Sequence, residues 1–177
     1  IGDAPADLAA VRAIADTLVT SVVCVPVGLG EEEIRRAVQA LERAKKPRLN
    51  LVVPTSAVQM EYTYHRKPDS MRKALSQSAA LCVSLCPDVE FTAEDATRSE
   101  PAFLAEMIQT AIDAGVSRIT LCDSAGQLLP EETAELVREL TAQVPGLKGV
   151  TLGLQLRDDL AWLQPMPYPP FPPAAPP

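Results

Sequence analysis

Few side chains in this sequence suit chemistry, and those few fall at the ends of apolar runs. The run Thr151–Leu160 (TLGLQLRDDL) reads as a buried strand that ends in a loop. That loop carries Gln155, Arg157, Asp158 and Asp159. Gln is a poor ligand for a divalent cation, and Arg has no lone pair to give and a permanent positive charge. Asp158 and Asp159 could draw a cation weakly, but Arg157 stands beside them, and a solvated loop is the preferred reading. Glu94 and Asp95 open an EDA string just ahead of a helix start. Carboxylates there can take part in chemistry, or they can cap the helix and fix the loop. Cys82 and Cys86 lie four apart, on one face of a predicted helix. A metal would need two more ligands nearby, and the single histidine is His65. Buried thiols are the preferred reading.

These side chains need a scaffold, and the sequence predicts one of regular αβ alternation. Five β-rich runs stand out: Val19–Pro26, Arg48–Thr55, Asp88–Ala93, Arg118–Ser124 and Val150–Arg157. Continuous apolar runs suggest strands covered on both faces, as in a parallel sheet. Helices are predicted over Pro5–Leu18, Glu31–Ala44, Asp69–Leu85, Pro101–Ala114 and Pro130–Gln143. Glu31–Ala44 opens with three acids and ends near two lysines, which suits the helix dipole. Pro130-Glu-Glu is a sound first turn. Each helix leads into a strand within a few residues, which means right-handed crossovers. A doubly wound sheet is the alternative, but no glycine-rich phosphate loop follows any strand, and Gly28-Leu-Gly30 is too short to count.

The length of 177 residues allows one domain with a sizeable core. Aromatic residues make up only 4%, so that core must be aliphatic. A net charge of −7 argues against a nucleic-acid or anionic-membrane surface, and solubility is its plainer meaning. No stretch reaches the roughly 18–20 apolar residues of a membrane span. No secretory leader is visible. Four scattered cysteines do not make a disulfide framework, so a reducing compartment is expected, cytoplasmic or, in a eukaryote, plastid. The domain is expected over residues 1–163. Residues 164–177, eight of them proline, are expected to form an extended or disordered tail. That tail is a weak match to a ligand for an SH3- or WW-type groove and is preferred as non-functional.

Several strings resemble 2-isopropylmalate synthase and its relatives, the homocitrate and citramalate synthases. DVEFTAEDATRS (Asp88–Ser99) is similar to the family's VEFS-x-EDA-x-R. IDAGVSRITLCDSAG (Ile112–Gly126) is similar to its AGA and I-N-I-P-D-T-V-G strings. Lys45–Asn50, Pro54-Thr-Ser56 and Met60-Glu-Tyr62 resemble KRPRIH, ATS and HMEY. The resemblance covers residues 3 to 163.

The resemblance implies a (β/α)₈ barrel, with the active site at the C-terminal ends of the strands. It implies a Claisen-type condensation of acetyl-CoA with a 2-oxo acid in leucine biosynthesis, by a metal-dependent acyltransferase. It makes Glu94 the active-site glutamate and puts Thr92 in place of a pocket Ser. Asn50 replaces a pocket His, and Ser124 replaces a Thr that contacts the 2-oxo acid. It puts Gln155 and Arg157 where the family has two metal-binding His, and Asp158 in place of an Asn. No cofactor is therefore expected. The family's Asp-Arg-Glu string does not occur, so the five strands match the third to the seventh of an incomplete barrel. On this reading the chain is a truncated, degenerate and catalytically inactive member. The alternative is a pseudoenzyme or binding module that keeps a 2-oxo acid or CoA pocket, or pairs with a full-length homologue. The open edges, Val19–Pro26 and Val150–Arg157, would be apolar and invite a homologous chain or a homo-oligomer. The barrel-interior face is expected to be aliphatic and to need a lid, for which Trp162, Tyr168 and Phe171 of the tail are candidates.

Overall fold

The computed structural model describes residues 5–157; Asp158, Asp159 and the proline-rich segment, with its aromatic residues, lie outside the described residues. The chain opens with α1 (Pro5–Thr17), β1 (Val23–Val27), α2 (Glu31–Leu41) and β2 (Pro47–Pro54). A short helix α3 (Ala57–Tyr62) and the long α4 (Pro68–Leu85) lead to β3 (Val89–Glu94). Then follow α5 (Pro101–Asp113), β4 (Arg118–Cys122), α6 (Pro130–Gln143) and β5 (Thr151–Gln155). All neighbouring strands pair in parallel, and their order in space is chain order, β1-β2-β3-β4-β5. A doubly wound sheet reverses direction at a switch point. This sheet never reverses, so it is a wall of five staves from a (β/α)₈ barrel.

Local chemistry sets the helix ends. Proline stands in the first turn of α4, α5 and α6, where its missing N–H costs nothing. The Glu100 carboxylate accepts from the amides of Ala102 and Phe103 at the start of α5. At the other end Gly115 takes φ +95°, and its amide donates to the Ile112 carbonyl. An L residue rarely adopts that backbone, and a Cβ there would sit 3.2 Å from Val83 Cγ1.

One face of every strand feeds a single aliphatic core. Val25, Leu49, Val89, Phe91, Ile119 and Leu121 point to the helices and are buried against residues such as Ile34, Leu75, Met107 and Ile108. Alternate strand residues face the other way, and here two expectations fail. The strands are not covered on both faces among the described residues: β1 alternates buried and exposed. Nor is the inner face aliphatic. It presents Arg48, Asn50, Glu90, Thr92, Arg118 and Thr120, mutually bonded (below). Polar groups satisfied by one another can face water, so this face does not need the apolar lid expected of it.

Strand β1 also starts later than the apolar run suggests. Val19 and Val22 are 67% and 42% exposed, and pairing begins at Val23 opposite Pro47, the first residue of β2. Among the described residues no helix is long and apolar enough to cross a membrane.

Candidate functional site

The C-terminal ends of the strands gather most of the side chains singled out in the sequence. Asn50 of β2 and Thr92 of β3 meet directly: the Thr92 hydroxyl donates to Asn50 Oδ1 at 2.7 Å. One rung below, the Thr120 hydroxyl donates to Glu90 Oε1 at 2.6 Å. Glu94 ends β3, paired in register with Pro54. Its carboxylate lies close enough to Cys122 and Tyr64 to push both acidic groups up, second only to burial in each case.

The loop after β3 is built to hold Glu94 in place. Asp95 is fully buried and takes φ +59°, a left-handed conformation that Asp tolerates better than most residues. Its carboxylate accepts two bonds of 2.7 Å from Arg98, a bidentate clamp across the turn Ala96–Arg98. Its amide donates to Ser124 Oγ at 3.0 Å. Thr55 Oγ1 donates to the Glu94 carbonyl and accepts from Ser99 Oγ at 2.6 Å. Of the two carboxylates left open in sequence, Asp95 therefore fixes the loop.

Ser124 is held by that same bond, so its hydroxyl braces the loop next to Glu94. Its carbonyl accepts from Arg157 Nη1 at 3.3 Å. Sequence reasoning missed Asp123. It is buried, with Oδ1 accepting from Thr97 Oγ1 at 2.7 Å and Oδ2 from the Leu128 amide at 3.2 Å. The signal was its place between Cys122 and Ser124 at a strand end, where barrel loops carry polar residues.

Gln155 faces Cys122 across β4 and β5, and the thiol donates to Gln155 Oε1 at 3.2 Å. Burial, then Glu94 and Glu90, push that thiol up to about 11, so it is protonated at neutral pH. A divalent metal, as the resemblance implies, does not fit this donor set. The Gln155 amide oxygen is engaged by the Cys122 thiol, and Arg157 contributes a positive charge and no lone pair. Among the described residues, no three His, Cys, Asp or Glu side chains come together to hold a metal ion. Cys82 and Cys86 are both buried and unbridged; burial, then Cys86, pushes Cys82 up to about 12. His65 sits at φ +49° in the turn between α3 and α4, away from both.

At the opposite end of the inner face lies an ionic knot. Asp88 Oδ2 accepts from Arg48 Nε at 2.9 Å and Nη2 at 2.8 Å, and Oδ1 accepts from Arg118 Nε at 3.1 Å. Arg48 Nη1 also lies 3.5 Å from Glu90 Oε2. The knot stitches β2, the entry to β3, and β4 together. A groove of about 810 Å³ lined by Arg72, Lys73, Thr110 and Asp113 lies on the outer helices α4 and α5, away from the strand ends.

Fold and site together define a sector of an α/β barrel with a polar cluster at its strand ends. The chain belongs to the HMGL-like family, whose profile matches residues 3–161. It is 36% identical over 154 residues to the 2-isopropylmalate synthase of Caulobacter vibrioides, covering 87% of this chain and 29% of that protein. It is 38% identical over 130 residues to the 2-isopropylmalate synthase of Pyrococcus abyssi, with 73% and 27% covered. For the 2-isopropylmalate synthase of Neisseria meningitidis serogroup B the figures are 37% over 156 residues, with 88% and 30% covered. The chain thus spans under a third of the length of these relatives. Among solved structures it resembles the HMG-CoA lyase of Bacillus subtilis, with a TM-score of 0.62, 14% identity, and 83% of this chain and 50% of that one covered. The HMG-CoA lyase of Brucella melitensis gives 0.59, 15%, 76% and 47%. At such identities the likeness shows the fold alone, a TIM-type barrel.

Proposed function

We propose that this chain is the acceptor-side wall of a 2-isopropylmalate synthase-type barrel, without the metal-binding pair and without condensing activity of its own. Asn50, Thr92 and Ser124 are the substrate-side groups in this reading, and Glu94 is the active-site carboxylate. The observation that carries it is the state of Gln155 and Arg157: an amide tied to a protonated thiol, and a guanidinium, where the resemblance places two imidazoles. A metal polarising the 2-oxo group contributes several kcal/mol to such a condensation, and each ~1.4 kcal/mol is tenfold in rate. Loss of its ligands therefore removes orders of magnitude. The test is release of free CoA from acetyl-CoA and 2-oxoisovalerate, followed with a thiol-trapping reagent in the presence of magnesium, manganese or zinc. The reading expects the baseline rate, and metal-dependent release would refute it.

The intact Asn50–Thr92 bond favours a second reading, a binding module that keeps a 2-oxo acid or CoA pocket. Calorimetric heat with 2-oxoisovalerate or acetyl-CoA, lost in Thr92→Val, supports that module. Silence with both ligands removes it.

A further inference from the structure

The turn that joins α3 to α4 follows β2, so it stands on the strand-end side of the sheet. β2 pairs with β1 on one side and β3 on the other, so this turn is flanked by described strands on both sides. Its backbone is fixed. The amides of Thr63 and Tyr64 both donate to the Gln59 carbonyl, at 3.0 and 3.2 Å, and the Arg66 amide returns to the Met60 carbonyl at 2.9 Å. That return runs through His65 at φ +49°, a left-handed conformation uncommon outside glycine. Tyr64 lies near Glu94, which with Glu33 adds to burial in raising its phenol, so the turn borders the polar cluster at the strand ends.

The side chains here are of two kinds, and every residue from 61 to 70 is exposed. Tyr62, 72% exposed, and Tyr64 offer aromatic rings. Arg66 and Lys67 offer positive charge. From 62 to 73, four cationic side chains stand against a single carboxylate, Asp69, in a chain of net charge −7. Asp69 already lies 3.6 Å from Arg72. Among the described residues every other arginine side chain has a hydrogen bond or an ion pair, and the Arg66 side chain has none. Rings and unpaired cations, interleaved on one short turn, make a surface for a ligand that carries both a flat base and phosphate.

We propose that residues 62–67 dock a nucleotide with two or more phosphate charges, either free or as the nucleotide end of a coenzyme A thioester. Arg66 and Lys67 take the phosphates, and a tyrosine ring stacks on the base. A compact anion would leave the rings without a partner, and a nucleic acid is disfavoured by the net charge of the chain. The inference does not rest on the proposed loss of condensing activity.

The experiment titrates ADP and CoA into the full 177-residue chain in a calorimeter, at low ionic strength. ADP has no acyl arm, so its binding reads the turn and not the pocket at Asn50 and Thr92. Both should bind, and excess inorganic pyrophosphate should displace both. Arg66→Ala with Lys67→Ala should weaken both about tenfold. Tyr62→Ala with Tyr64→Ala should weaken both about fivefold. Lys148→Ala, an exposed cation at the other end of the strands, should change neither. Far-ultraviolet spectra check that each variant folds, and displacement by pyrophosphate tests the unaltered chain. Binding of both ligands makes the nucleotide end sufficient, whereas binding of CoA alone, weakened by the loop variants, makes the thioester carrier the ligand. No binding of either, binding that pyrophosphate does not displace, indifference to the loop variants, or an equal loss in Lys148→Ala overturns the proposal.

Discussion

Replacing Asp88 by Asn should cost this fold stability in a manner that pH reveals. The Asp88–Arg48 contact is charge-assisted and mostly shielded, with side chains 27% and 18% exposed. Such a bond contributes about 1.5–3 kcal/mol. Arg118 is 37% exposed, so its share is discounted to about 0.5 kcal/mol. Arg48 keeps Glu90 at 3.5 Å, which offsets part of the loss. The net cost is about 2 kcal/mol, a fall in melting temperature of roughly 4–8 °C for a domain of this size. Partial burial pushes the Asp88 carboxyl up, but the hydrogen bond and charge of Arg48, then those of Arg118, outweigh it and leave its pKa below the ordinary 3.8. A carboxylate so depressed contributes fully above its ordinary value, and the contribution is lost as pH falls through the folded value. Urea unfolding followed by circular dichroism should therefore show the wild type more stable at neutral pH, with the gap to Asp88→Asn closing below about pH 3.8. Equal stabilities at neutral pH, or a gap that does not change with pH, would refute the inner-face knot as a stabilising device.

Gly153→Ala would set a Cβ 2.9 Å from Thr120 Oγ1, which already donates to Glu90 at 2.6 Å. Thr120 must give way and lose that bond, so thermal unfolding should show a cost of about 1–2 kcal/mol. Thiol chemistry should be selective. Cys24 is exposed, whereas Cys82 and Cys122 are buried and pushed up to about 12 and about 11. Iodoacetamide at neutral pH, read by peptide mass spectrometry, should label Cys24 first, and slowly. Burial, then Glu90, raises that thiol too, so its rate should climb with pH. Labelling of Cys122 at a comparable rate would contradict the sealed Cys122–Gln155 contact.

Much of the architecture was legible because αβ alternation is written in long runs that need no partner to be read. Among the described residues, the five strands and five of the six α-helices fall within a few residues of their expected places. The exceptions have physical causes. Val19 and Val22 are apolar but have no opposite strand, so β1 waits for the partner at Pro47. Helix α3 was missed although Ser56-x-x-Gln59 is a helix-start signature; Ser56 Oγ accepts from the Gln59 amide at 3.4 Å. The inner face was misjudged by weighing the runs as wholes. RLN, VEFTAE and RIT alternate with period two, and that alternation marks Arg48, Asn50, Glu90, Thr92, Arg118 and Thr120 as one polar face. Glu94, Thr92 and Asn50 were singled out by resemblance; Thr92 bonds Asn50, and Glu94 stands two residues further along β3. Ser124 was singled out too, but its bond to the Asp95 amide could not be foreseen, because it depends on a left-handed residue in a different loop. Gln155 was recognised as a changed residue, but its thiol partner, thirty-three positions earlier, is a product of strand register.

The proposal that the strand ends bind no divalent metal is most directly tested by titrating the chain with manganese and following the free aqueous ion by electron paramagnetic resonance. The account predicts that the wild-type chain leaves the manganese signal undiminished, and that Gln155→His with Arg157→His, beside Glu94, withdraws it. A wild-type chain that takes up manganese stoichiometrically, and loses that uptake in Gln155→Ala, would contradict the account.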